Sequence, residues 1–198
     1  MPEGSNWVIV QVHRHKYNPL EGGSWIDLPP EFKNPKYGLV NMKNKDNECF
    51  RWCHIRRFNP QEKYPQGIKK EDKLLVDNYD YSGVDFPVKD KHYSRIEAQN
   101  NINVNIFGYD NKQFYPIYVT TGSHEELNLL LISDGEKLHY VLIKSFNSLM
   151  HNKTKHKDTK HFYMHCLQAF SSKEILTKHK ENCLSINGIQ MPKKGSKV

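Results

Sequence analysis

Long apolar runs are missing from this sequence. No stretch approaches the roughly 18 apolar residues that a membrane-spanning helix needs, so none is expected. The first fifteen residues, MPEGSNWVIVQVHRH, lack a basic start followed by an apolar stretch, which argues against a secretory signal. Cysteine is scarce, with four in 198 residues. In a chain that is not secreted, such cysteines read as thiols or metal ligands rather than disulfides, in a reducing nucleus or cytoplasm. Internal repeats and low-complexity blocks are absent as well. What remains, 37% hydrophobic and 12% aromatic, suits one ordinary domain with a small appendage and is too aromatic for a disordered protein.

Acidic residues are scarce only at one end. From His151 onward ten lysines face three acids, whereas residues 1–150 balance at 19 basic and 19 acidic side chains. The net charge of +7 therefore belongs to the last quarter of the chain. A basic end implies a polyanionic partner, nucleic acid foremost. A tail kept in solution by its lysines is the plainer alternative.

Along the chain, residues 1–35 read as a strand (NWVIVQVHRH) followed by a Gly/Pro-rich arm. Residues 36–150 read as an α+β domain. Asp46 and Asn47 are candidate caps for a short helix starting near Cys49. INVNIFGYDNKQFYPIYV predicts strand, turn, strand, and LNLLLISDGEKLHYVLIK predicts two strands joined by a tight turn at Asp134-Gly135. The continuous apolar runs in the latter imply a sheet buried on both faces. Residues 151–160 form a hydrophilic basic linker, 161–184 a small unit, and 185–198 a basic tail.

Two features carry chemistry. The first is Cys49 at the expected helix start, with His139 opening the apolar strand HYVLIK. A helix N-terminus stabilises a thiolate, and an imidazole can take the thiol's proton, so the two together suit nucleophilic attack. Backbone N–H groups of the loop at Asp46 and Asn47 would hold the oxyanion. Taken singly, Cys49 reads as a buried structural thiol and His139 as a strand histidine bonded to backbone. Cys53 is expected to pack inward and His54 to lie on the surface.

The second feature is HFYMHCLQAFSSKEILTKHKENC, residues 161–183. Cys166, Phe170, Leu176, His179 and Cys183 have the spacing of a ββα zinc finger. His179 and Cys183 are four apart and so share a helix face. Ser171 and Glu174 form a candidate capping box. Tyr163 stands where a first metal ligand belongs, three residues before Cys166, and His161 is the better substitute ligand, ahead of His165. A short amphipathic helix in a basic tail is the bland reading. If the unit meets DNA as fingers do, Ser172, Ile175 and Lys178 face the bases. Lys173, Lys178 and Lys180 would contact phosphate, giving weak and non-specific binding.

Asp46-Asn47-Glu48-Cys49-Phe50 resembles the Asp-Gly-x-Cys-Leu-Phe motif of ovarian-tumour-type deubiquitinating peptidases, and the order of later strands to a His followed by an aromatic is similar. The resemblance implies a papain-like core with an antiparallel sheet and an N-terminal helix. It implies a thiol peptidase acting on an isopeptide or peptide bond, such as one at ubiquitin, with Asn147 or Asp134 orienting His139. Asn47 departs from the motif's Gly, and Val141 stands where such enzymes carry an Asp.

More widely, KYNPL, GSWIDLP, NKDNECFRWC, DFPV, IEAQNNINVNIFGYDN, LNLLLI, HYVLIK and the finger are together similar to the region upstream of the family B DNA polymerase in Maverick/Polinton-type transposons. There the finger has Cys at the place of Tyr163, and the His-bearing strand runs on to KDF where this chain has Lys144-Ser145-Phe146. The resemblance places a polymerase further downstream; these residues contain none, so no polymerase activity is assigned. Two expectations follow. One is a papain-like thiol peptidase module with a C2HC-type zinc finger as a docking element. The other is a catalytically inactive relative whose finger and basic tail bind nucleic acid or a replication partner.

Overall fold

A computed structural model describes residues 25–183 except 111, 121, 135–136 and 152–160. The N-terminal strand, the basic linker and the basic tail expected from the sequence lie outside the described residues. The chain is mixed α and β. Strands β1 (Leu39–Val40), β2 (Ile102–Asp110), β3 (Gln113–Val119), β4 (Glu125–Ser133) and β5 (Leu138–Ile143) form one sheet in the order β1-β5-β4-β2-β3. Helices α1 (Cys49–Phe58), α2 (Lys70–Leu74) and α3 (Tyr93–Asn100) precede β2, and α4 (Phe146–His151) follows β5.

The sheet is mixed, which corrects the antiparallel expectation. β2–β3 and β4–β5 are antiparallel hairpins, but β4 runs parallel to β2, with Ile102 opposite Glu125 and Ile106 opposite Leu129. The cause is the short 120–124 connection. β3 brings the chain back to the start of β2, and the connection carries it past β2, so β4 begins at the same end. In the β4–β5 turn the Asp134 carboxylate accepts from the Lys137 N–H at 2.8 Å, as a turn aspartate does.

Side chains alternate across each strand and build two cores. On one face Val104, Ile106, Leu127, Leu129, Tyr140 and Leu142 pack against α1 and α3 through Phe50, Cys53, Ile55, Tyr93 and Ile96. On the other, Phe107, Leu130, Ile132, Val141 and Ile143 meet Ile26, Phe32, Phe146 and Leu149. The sheet is thus covered on both sides, as the apolar runs predict. The described part of the Gly/Pro-rich arm is core material: Ile26 and Phe32 are buried. At about 1.5–3 kcal/mol for each large apolar side chain buried, these layers dominate the stability.

A charged pair inside this framework fixes the segment between α1 and α2. Arg56 reaches Asp72 at 2.7 Å with both side chains nearly solvent-free. Arg56 also donates to the Gly67 and Asn59 carbonyls, and Gln61 donates to Asp72. A buried pair holds only when its remaining hydrogen-bonding capacity is met, and these contacts meet most of it.

Beyond residue 160 a second, two-stranded sheet pairs β6 (His161–Phe162) with β7 (Ala169–Phe170), and helix α5 (Lys173–Asn182) follows. This hairpin–helix unit does not hang free. Phe162, Met164 and Leu167 pack against the second core, and the Phe162 ring stands edge-on to Phe146.

Candidate functional site

The two sequence features have opposite fates. Cys49 does open α1, as expected. The helix entry is held by Asp46, whose carboxylate accepts from the Glu48 N–H at 3.0 Å and from the Trp52 indole at 3.0 and 3.1 Å. The N-cap residue itself is Glu48, and its side chain bonds Arg51 rather than the backbone. Asn47 donates to the Phe86 carbonyl. The side chains of both loop residues thus hold the loop to its neighbours.

Cys49 and His139 do not meet. Tyr140 and Leu142 of β5 face α1 together with Cys49, whereas Val141 and Ile143 face the other core. His139 lies two residues before Val141 and points with it, through the opposite side of the sheet. There its Nε2–H donates to Asn41 Oδ1 at 2.8 Å, because the Asn41 amide nitrogen is already donating to the Ile26 carbonyl. Nδ1 is buried without a hydrogen-bond partner. The catalytic pairing finds no support: alternation along β5 turns the imidazole to the face of the sheet opposite the one that packs on Cys49. Asn147 is exposed on α4 and Asp134 is exposed at the hairpin turn, so neither orients His139. The residue that does is Asn41, which no local sequence signal marks.

Burial also disarms both groups. Cys49 is 3% exposed, and that burial, helped by the Asp46 charge, pushes its pKa up to about 11. Burial lowers His139 to about 4. Cys53 packs inward, as expected, and its thiol donates to the Tyr140 carbonyl at 3.4 Å. His54, expected on the surface, is fully buried instead; its Nδ1 lies 2.8 Å from the Tyr81 hydroxyl and its ring packs between Tyr79 and Phe58. Desolvation holds it neutral, near pKa 3.

The C-terminal unit, in contrast, gathers its donors. Ligand atoms of Cys166, His179 and Cys183 all lie within 4.8 Å of one another. Cys166 Sγ stands 3.2 Å from His179 Nε2. The hairpin supplies Cys166 on a turn closed by the Leu167 N–H to the Tyr163 carbonyl at 2.7 Å, with Leu167 in the left-handed region at φ 59°. Helix α5 supplies His179, and its C-cap residue is Cys183, four residues on. Its N-cap is Ser172, whose hydroxyl accepts from the Ile175 N–H, so the cap sits one residue later than the Ser171 box predicts. Phe170 is buried and its ring lies 4.6 Å from the His179 ring.

Two thiols and an imidazole suit zinc, whose tetrahedral shell places donor atoms about 3.5–4 Å apart. The observed cluster needs little contraction to reach that. Burial, and then the neighbouring Cys183 sulfur, pushes the Cys166 thiol above its usual value, so zinc would have to displace its proton to bind. His161 does not join the group; it sits in β6 opposite Phe170. His165 is buried and also stays outside the group. Tyr163 occupies the fourth side, its ring edge-on to His179 with centroids 5.4 Å apart. Lys180 lies over that ring at 5.9 Å. Lys173, Lys178 and Lys180 are all exposed along α5.

No family model, curated protein or solved structure matches this chain.

Proposed function

We propose that this protein is a non-catalytic nucleic-acid-binding protein in which a C2HC-like zinc finger is docked onto an α+β core. The observation that carries the reading is the convergence of Cys166, His179 and Cys183 beside an exposed row of lysines. Those three residues would hold the ion, and zinc would supply a cross-link between hairpin and helix. A unit of 23 residues, His161 to Cys183, buries too little apolar surface to be stable without such help. The exposed α5 lysines would then meet phosphate oxygens. The likeness of the sequence motifs to the pre-polymerase region of Maverick-type transposons points the same way, towards a partner of DNA replication. The thiol-peptidase reading has no comparable support, because its two reacting groups face opposite sides of a sheet.

The test is metal content and nucleic-acid binding on the full chain. One zinc per chain is expected, lost in Cys183→Ser with the core still folded. The wild-type protein should bind DNA with a salt slope of a few phosphate contacts, and Cys183→Ser should weaken that binding. Full zinc retention in Cys183→Ser, or DNA binding that ignores the substitution, would remove the reading.

A further inference from the structure

The described residues carry a second cationic surface, on the core itself and built of aromatic rings. Trp25 is 39% exposed and Tyr64 is 56% exposed. The Lys43 ammonium lies over both, 5.6 Å from the Trp25 ring and 5.9 Å from the Tyr64 ring. Three loops meet here and are laced by backbone hydrogen bonds: the Trp25 N–H to the Asn44 carbonyl at 3.2 Å, and the Lys43 N–H to the Gln66 carbonyl at 2.8 Å. Tyr64 is held at φ 57°, a conformation bulky residues seldom adopt. The Cδ1–Cε1 edge of its ring abuts Gly67, where an added Cβ would come within 2.3 Å of both atoms. A large side chain in a rare backbone conformation, braced along one ring edge and more than half exposed, is costly for the fold and contributes little to the core.

The segments that carry the rings are rich in lysine. Lys45 and Lys63 are exposed and make no ion pair among the described residues. Of the acids nearby, Asp27 is engaged by Lys33 at 2.6 Å and Asp46 by Trp52 and Glu48. Glu62 remains exposed at the edge.

We propose that Trp25, Lys43 and Tyr64 form a stacking platform for single-stranded nucleic acid, with Lys43, Lys45 and Lys63 contacting its phosphates. Unpaired bases offer π-faces to both rings, and phosphates offer the anions the lysines lack; a duplex offers only the second. An acidic peptide satisfies the lysines but leaves the rings without partners. The inference deepens the nucleic-acid reading by naming the strandedness and a contact surface remote in sequence from the finger.

The experiment uses the full chain with a labelled oligodeoxythymidylate, its duplex with oligodeoxyadenylate, and a polyglutamate peptide. Single strands should bind tighter than duplex. Trp25→Ala and Tyr64→Ala should each weaken single-strand binding by about 10-fold, with duplex binding little changed. Lys43→Ala, Lys45→Ala and Lys63→Ala should each lower the salt slope by about one contact. Unchanged folding, read from thermal melts, keeps the ring variants interpretable, and Tyr64→Gly, which relieves the backbone, gives a second ring deletion. Wild-type binding in both ring variants would overturn the platform, as would a loss confined to the polyglutamate peptide. If Cys183→Ser weakens binding while the ring variants do not, the finger reading stands and the platform falls. If the ring variants weaken it while Cys183→Ser does not, the platform stands and the finger reading falls.

Discussion

The core and the C-terminal unit hold the same chemical groups and treat them in opposite ways. In the core, Cys49, Cys53, His54 and His139 are buried, and desolvation keeps the thiols protonated and the imidazoles neutral. In the hairpin–helix unit, Cys166, His179 and Cys183 sit near the surface with their donor atoms converging. The difference teaches that cysteine and histidine in suggestive order are not chemistry until their side chains share a space. Around Cys49 the surroundings are apolar packing, and the groups serve as core volume with local hydrogen bonds. Around Cys166 the neighbours Met164 and Leu167 pack on the core while the three donors stay together near the surface, a group that could hold a metal ion.

The strongest way to break the comparison is to cut the core's own electrostatics. Asp72→Ala leaves the Arg56 guanidinium buried without its carboxylate. It should cost about 3–5 kcal/mol of stability in urea melts. Zinc binding under native conditions should persist, and parallel loss of both would show that the two regions are one energetic unit.

Acid should separate the regions next. His54 and His139 have folded-state pKa values lowered to about 3 and about 4, against 6.5 in the unfolded chain. The unfolded state therefore binds more protons below pH 6.5. The stability these groups confer is complete above that value and is lost as pH falls towards 4 and 3. Together they should account for a loss on the order of 3 kcal/mol per histidine by pH 4. His54→Phe and His139→Asn should flatten the stability-versus-pH curve of the core; a slope identical to that of wild type would show that neither imidazole is desolvated.

Thiol labelling sharpens the contrast at the level of reactivity. A pKa of about 11 at Cys49 against a reference of 9.0 leaves about 100-fold less thiolate near neutral pH. With zinc chelated, the surface thiols Cys166 and Cys183 should react with iodoacetamide ahead of buried Cys49, and His139→Ala should not slow Cys49. A slowing would restore the peptidase pair.

The smallest effect concerns the missing ligand. Tyr163→Cys places a third sulfur beside the cluster and should raise zinc affinity about 10-fold or more, read by competition with a chelator. Unchanged affinity would mean that the hairpin holds position 163 out of reach of the metal.

Much of this was legible in the sequence for physical reasons. LNLLLI and YVLI have no polar face, so they require a sheet covered on both sides, and two cores are found. Asp134 in a tight turn and a helix beginning at Cys49 follow from local backbone chemistry. The spacing of Cys166, His179 and Cys183 encodes a helix face and a hairpin, both short-range geometries, and the three donors do converge. The sequence could not say which side of β5 His139 would take. A strand covered on both faces has apolar residues at both parities, so alternation gives no cue. Nor could it mark Asn41, 98 residues away, as the acceptor for His139, or bring Lys43 between Trp25 and Tyr64. Those depend on which strands become neighbours and which loops are tied together, and only the closed tertiary structure decides that, because contacts between distant segments arise from packing the whole chain rather than from any local preference.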